Sequence, residues 1–247
     1  MNLKTYWGAS RAPRYSLLFA LPLALLYEGL AVAIPEGGRA GLRNGADVIF
    51  QQTFELLAGR AGPLIFWAIL IVVAVGLVVR DMRRNPGPLA AGTFAGMAVE
   101  AGVLAVACGL VVSAATSQIL SALSIQNGEV MALSWPAKLM LSLGAGLYEE
   151  LLFRVVLVGA IAWLARTLLL WRPVPSGIVA VTVGALVFSA FHYIGPYGDR
   201  LELFSFTYRA LAGVFFSALY LLRGFGITAW THALYDVLVL LVAPSPQ

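Results

Sequence analysis

Two carboxylates stand side by side at Glu149-Glu150, Arg154 follows shortly after, and the chain's two histidines, His192 and His232, lie far apart along it. All of them sit in strongly apolar stretches. Ionisable groups in such surroundings are costly to bury and face a partner, a cavity or a substrate path. Carboxylate and imidazole are also side chains suited to moving protons to and from water near neutral pH. On an α-helix Glu150 and Arg154 share a face, whereas Glu149 is turned about 100° away. One carboxylate therefore has a cation on its own helix, and the other is left free to act elsewhere. His232 has Asp236 one helical turn on, so these two side chains either orient one another or converge on a common target. Each group also has a purely structural reading. Residues 149–154 would then be a charge cluster at headgroup level, His192 an interfacial histidine beside Tyr193 and Tyr197, and His232 with Asp236 a polar pair fastening helices together.

The elements that must position these groups follow from composition. Hydrophobic residues make up 60% of the 247 and charged residues 11%, with a mean hydropathy of +0.87, far from the balance of a water-soluble domain. A hydrocarbon core about 30 Å thick takes roughly 20 apolar residues per helix. Such segments follow one another at about 15–34, 62–79, 89–113, 136–157, 176–192, 206–222 and 227–242. The expected fold class is all-α: a polytopic transmembrane helical bundle of about seven spans, eight being the alternative, in one membrane domain over 1–247. Residues 157–170 stay apolar and are either the end of one long helix or a separate short one. The first segment reads as a retained span, because no small-residue cleavage site follows it. Residues 41–59 mix Arg43, Asp47, Gln51, Gln52 and Glu55 with Val48, Ile49, Phe50 and Phe54, the pattern of an interfacial or partly inserted helix.

Loop charges orient the bundle, since cytoplasmic loops carry an excess of Lys and Arg. With the N-terminus inside, Lys4, Arg11, Arg14, Arg80, Arg83, Arg84, Arg166, Arg172 and Arg223 fall on the cytoplasmic side. Chiefly Arg39, Arg43, Arg60 and Arg200 fall on the other. The net charge of +4 is spread over loops and forms no long run, so the expected partner is the lipid bilayer and not nucleic acid. Cys108 stands alone, which excludes an intramolecular disulfide and a CxxC redox motif. Glu28 and Glu100 are also placed in apolar segments; with Glu149, His192 and Asp236 they would line a protonatable path in a proton-coupled transporter. No inverted repeat supports that reading. A non-catalytic membrane scaffold, its polar groups serving as interhelical glue, is the third possibility.

Taken in order, EExxxR, FxxxH and HxxxD on apolar helices resemble the CPBP family of CAAX proteases and bacteriocin-processing enzymes, also called the ABI family. Glu149, Glu150 and Arg154 match its first motif, Phe188 and His192 its second, and His232 with Asp236 its last; residues 210–213 and Ser217 loosely match the small-residue helix between. The resemblance covers about 138–242, and 1–137 supplies additional spans and the interfacial helix. It implies a glutamate-type intramembrane endopeptidase acting on a membrane-associated or lipid-anchored protein without metal or cofactor. Glu149, His192, His232 and Asp236 would be catalytic, and Glu150, Arg154 and Phe188 supporting. Glu149 with His192 would deprotonate water, while His232, held by Asp236, would donate to the tetrahedral oxyanion.

Two histidines and a carboxylate are also zinc-ligand types, but no HExxH is present. Asp236 stands where many members of the resembling family carry Asn. An amide can donate to an oxyanion and an ionised Asp cannot, so Asp236 is either protonated or orients His232. The residues decide neither the oligomeric state nor the choice among prenylated tails, bacteriocin precursors and membrane-anchored sorting tails. A prokaryotic plasma membrane is expected, because no organelle-targeting head precedes the first span. One geometric demand remains. His192 lies about 24 Å along its span while His232 lies much nearer the start of its own. A common site therefore needs tilt, a break near 224–226, or other boundaries.

Overall fold

The computed structural model describes residues 2–34, 42–120, 134–194 and 198–242, and among these all regular structure is helical. Helix α1 (Leu3–Arg11) is capped by the Asn2 side chain, which accepts from the Thr5 amide at 2.8 Å. Helix α2 (Pro13–Ala33) opens on Pro13, where a missing N–H leaves no helical bond unmade. Helices α3 (Gly45–Ala58) and α4 (Gly62–Arg84) are joined by the tight turn Gly59–Ala61. Gly59 takes φ 59 in that turn, and a Cβ on Gly62 would lie 2.2 Å from the Phe54 carbonyl oxygen. Only glycine fits both positions. The apolar run 45–84 is thus a hairpin and not one long helix, with Phe50 stacked on Phe66 across it.

Helix α5 spans Ala91–Leu120. Helix α6 (Trp135–Gly144), a π-helical segment (Ala145–Val158) and α7 (Gly159–Thr167) form one continuous run, so the apolar stretch beyond 157 is the end of a long helix. Helix α8 (Pro173–Phe191), α9 (Leu203–Arg223) and α10 (Phe225–Val242) complete the chain. The stretch before the first span is itself helical as α1.

Five stretches are long and apolar enough to cross a bilayer: α2, the α3–α4 hairpin counted as one run, α5, α8 and α9; the apolar part of α10 is shorter. With α10 and the run from Trp135 to Thr167 they build an all-α polytopic bundle. The outward faces are apolar, with Leu64, Val72, Val99 and Leu110 all exposed, which is the arrangement of an integral membrane protein whose solvent is lipid.

The core lies where α2, α6, the π segment and α10 meet, around Leu23, Tyr27, Met140, Tyr148 and Ala229. Small residues let the backbones approach. A Cβ on Gly144 would stand 2.5 Å from the Tyr27 ring, and one on Gly146 would stand 2.4 Å from the Ala229 carbonyl oxygen. Polar contacts distinguish the two ends of the bundle. Arg14 pairs with Asp81, Arg11 donates to the Leu221 carbonyl and Arg223 to the Trp7 carbonyl. These contacts bring α1, the start of α2 and the ends of α4 and α9 together. At the other end, Ser189 of α8 donates to the Phe206 carbonyl of α9.

Candidate active site

The run carrying Glu149 and Glu150 is wound with i→i+5 bonding, a geometry found mostly as short insertions at functional sites. Glu149 is 7% exposed, and Glu150 and Arg154 are wholly buried. Glu150 Oε2 lies 3.3 Å from Arg154 Nε. The Arg154 guanidinium sits 4.3 Å from the Phe188 ring centroid and 5.6 Å from that of Phe216, and none of its nitrogens has a hydrogen-bond partner among the described residues. Its charge is met by one carboxylate and by aromatic faces.

His232 is fixed by Glu150. Its Nδ1 lies 2.6 Å from Glu150 Oε1, and since an ionised carboxylate only accepts, Nδ1 carries the hydrogen. The ring stacks on Phe216 with centroids 4.3 Å apart. Asp236 Oδ1 is 3.8 Å from His232 Nε2, beyond hydrogen-bond reach. The hydrogen bond that holds the ring is to Glu150, and the expected partner Asp236 makes a longer ion-pair contact on the other side. Asp236 faces the other ring nitrogen, as a nearby charge.

His192, just past the end of α8, has Nδ1 2.9 Å from the Phe188 carbonyl. A carbonyl only accepts, so Nδ1 is again the donor and, in the neutral ring, Nε2 keeps its lone pair. Phe188 thereby serves both imidazoles. Its carbonyl sets the His192 tautomer, and its ring lies 4.9 Å from that of His192 and 6.2 Å from that of His232. Despite their different distances along α8 and α10, the two histidines come together, since both rings lie against that of Phe188.

Glu149, His192, His232 and Asp236 all line one cavity of about 1080 Å³. Phe188, Phe216, Tyr208 and Tyr235 form apolar wall, and Asp199, Arg200, Glu202 and Arg209 ring its outer part. Glu150 and Arg154 are not among its lining residues; they lie behind His232 and support it.

Asn44 is the residue the sequence reading missed. It is 5% exposed, its Oδ1 caps α3 through the Ala46 amide at 2.9 Å, and its Nδ2 donates to Glu149 Oε1 at 2.8 Å. The available signal was an Asn directly ahead of a Gly-Ala-Asp helix start, the pattern of an N-cap. Of the polar residues expected at an interface, Gln52 and Glu55 are exposed, whereas Arg43, Asp47 and Gln51 form a network with α2. Arg43 pairs with Glu28 at 3.0 Å and with Asp47, Tyr27 donates to Asp47 at 2.8 Å, and Tyr148 donates to Glu28 at 2.8 Å. Glu100 is likewise tied, to Arg223 at 2.6 Å. Neither Glu28 nor Glu100 is among the described residues that line the cavity.

Residues 131–238 match the sequence model of a family described as type II CAAX prenyl endopeptidase, Rce1-like. No curated protein and no solved structure matches the chain.

Proposed function

We propose, from the match of residues 131–238 to this Rce1-like CAAX endopeptidase family, that the chain is a member of it and hydrolyses a peptide bond of a membrane-associated protein with water activated by Glu149 and His192. The observation that carries the reading is the convergence of Glu149, His192, His232 and Asp236 on one cavity. Residues 138–242 form the catalytic core of a single membrane domain. The first 137 residues are more than added spans, because Asn44 contributes a donor to Glu149.

In this mechanism a water between Glu149 and His192 gives up a proton, to the carboxylate or to His192 Nε2, as its oxygen bonds to the scissile carbonyl carbon. The carbonyl oxygen becomes an oxyanion, and His232 Nε2–H donates to it. Because Nδ1–H is already directed at Glu150, this donation requires the doubly protonated ring. Glu150 on one side and Asp236 on the other are the counter-charges that such an imidazolium needs. In this reading Asp236 works ionised, as the second counter-charge to the imidazolium. Collapse of the intermediate breaks the C–N bond, and the proton taken from water passes to the leaving amine.

No step is routed through a metal. Cleavage that survives strong chelators agrees with this; loss on chelation with recovery on zinc overturns it. The protein is placed in a prokaryotic plasma membrane with its N-terminus cytoplasmic. The decisive experiment maps peptide termini in the membrane and secreted proteins of cells carrying wild type, Glu149→Gln or no copy. Termini that require Glu149 support proteolysis. Identical profiles for wild type and Glu149→Gln overturn it in favour of a transporter or scaffold.

A further inference from the structure

We infer that the cavity opens on the non-cytoplasmic side of the membrane, so that its substrate is a polypeptide already carried across and still anchored in the same bilayer. The choice of substrate rests on the proteolytic reading above; the direction of the opening does not.

The argument begins with which charges share an end. Contacts of Arg14 with Asp81, of Arg11 with Leu221 and of Arg223 with Trp7 gather α1, the start of α2 and the ends of α4 and α9. The start of α8 joins them, since a Cβ on Gly177 would meet the Leu221 side chain at 3.6 Å. The basic residues assigned from sequence to the cytoplasm therefore all fall at this end, from Lys4 on α1 to Arg166 and Arg172 at the α7–α8 link. Asp81 and Glu100 are the carboxylates that accompany them among the described residues.

The opposite end is balanced among the described residues. Arg43, Arg60, Lys138, Arg200 and Arg209 are matched there by Glu28, Asp47, Glu55, Asp199 and Glu202. Several are also paired directly, as Arg43 is with Glu28 and Arg209 with Asp199. An excess of Lys and Arg near span ends marks the cytoplasmic face, and the difference between the two ends is large.

The cavity belongs to the balanced end. Its exposed lining residues, Asp199 and Arg200, lie between α8 and α9, and its half-buried ones, Glu202, Phe204 and Ser205, lie at the start of α9. Its floor is made by the buried Glu149, Ala212, Phe216 and His232. From His232 to the end of α10 at Val242 is about 15 Å at helical rise, half of a hydrocarbon core about 30 Å thick. A scissile bond reaching the floor must descend that far from the non-cytoplasmic interface, which takes about five extended residues. A single-span anchor unwound at its outer end supplies such a segment.

The test is topological and needs no turnover. In a Cys108→Ala background, Glu202→Cys or Arg84→Cys is introduced and expressed in bacterial spheroplasts. These are treated with a membrane-impermeant maleimide before and after permeabilisation. The inference expects Glu202→Cys to label in intact spheroplasts and Arg84→Cys only after permeabilisation; the reverse pattern overturns it. The same termini map supplies the second arm. Glu149-dependent termini within exported segments of anchored proteins support the substrate class, and termini in cytoplasmic segments sink it. Reversed labelling with Glu149-dependent cleavage intact removes this inference alone, whereas correct labelling without such cleavage removes the proteolytic reading.

Discussion

Two arginines are buried in this bundle, and their surroundings differ in kind. Arg223 is saturated: it reaches both oxygens of Glu100, at 2.6 and 2.8 Å, the Ser10 hydroxyl at 2.7 Å and the Trp7 carbonyl, and its guanidinium lies 3.8 Å from the Trp7 ring centroid. Arg154 has one carboxylate at 3.3 Å and two aromatic faces. The first network is a fastener in which each group answers another group of the same network, tying α1, α5 and α9. In the second, Glu150 faces Arg154 with one oxygen and His232 with the other, so the pair reaches the cavity. A buried ion pair by itself therefore says little about function; what its carboxylate does with the second oxygen says more.

The strongest way to break this comparison is at the carboxylates. Glu149→Gln should lower turnover by about 10²–10⁴-fold, the usual range for a general base, while Glu100→Gln should leave turnover per folded molecule within about twofold. Equal losses in a purified cleavage assay would erase the distinction. Next in size, Arg154→Met strands the wholly buried Glu150 and should cost about 3–5 kcal/mol in detergent unfolding, whereas Arg223→Met strands the partly exposed Glu100, which keeps Tyr6, and should cost less. Only Arg154→Met should also depress cleavage by the folded fraction, because only there does the stranded Glu150 hold His232.

Asn44 sharpens the contrast from the other side of the cavity. Asn44→Ala removes the α3 cap, worth about 1 kcal/mol, together with a hydrogen bond to a charged group, worth about 1.5–3 kcal/mol. Asn44→Asp keeps the cap but sets a second carboxylate against Glu149. Both should slow cleavage about tenfold or more, and only Asn44→Ala should also lose the cap's share of stability. Full activity in Asn44→Asp would show that the Asn44 amide does not position Glu149. The smallest effect is expected at Glu28→Gln, whose partner Arg43 keeps Asp47. Stability should fall by less than about 1 kcal/mol, and cleavage should stay within about twofold.

Much of this was legible in the sequence because lipid makes polarity conspicuous. Glu149, His192, His232 and Asp236 stand out from apolar helices, and all four line the cavity. What could not be read were relations between distant helices. One-turn spacing coupled His232 to Asp236, whereas a longer-range contact, with His232 Nδ1 2.6 Å from Glu150, does the holding. Asn44 was hidden because an N-cap looks the same whether its amide faces a lipid headgroup or a carboxylate on another helix. The interfacial reading of 41–59 weighed polarity correctly, but Asp47 is fully buried because Tyr27 and Arg43 supply its partners.

The π winding of Ala145–Val158 makes the site a matter of counting as well as of chemistry. Its angular step per residue is smaller than that of the α-helices it joins, so its length sets how far α6 is rotated relative to α7. Removing one residue between Gly144 and Gly159 would let the segment relax toward α geometry, and the whole register of side chains above the deletion would turn by part of a revolution. Glu149 and Glu150 would then face each other's present targets imperfectly, although every motif residue survived. Two chains with the same EExxxR motif but one residue's difference in this stretch should not be assumed to present the same carboxylate to the cavity.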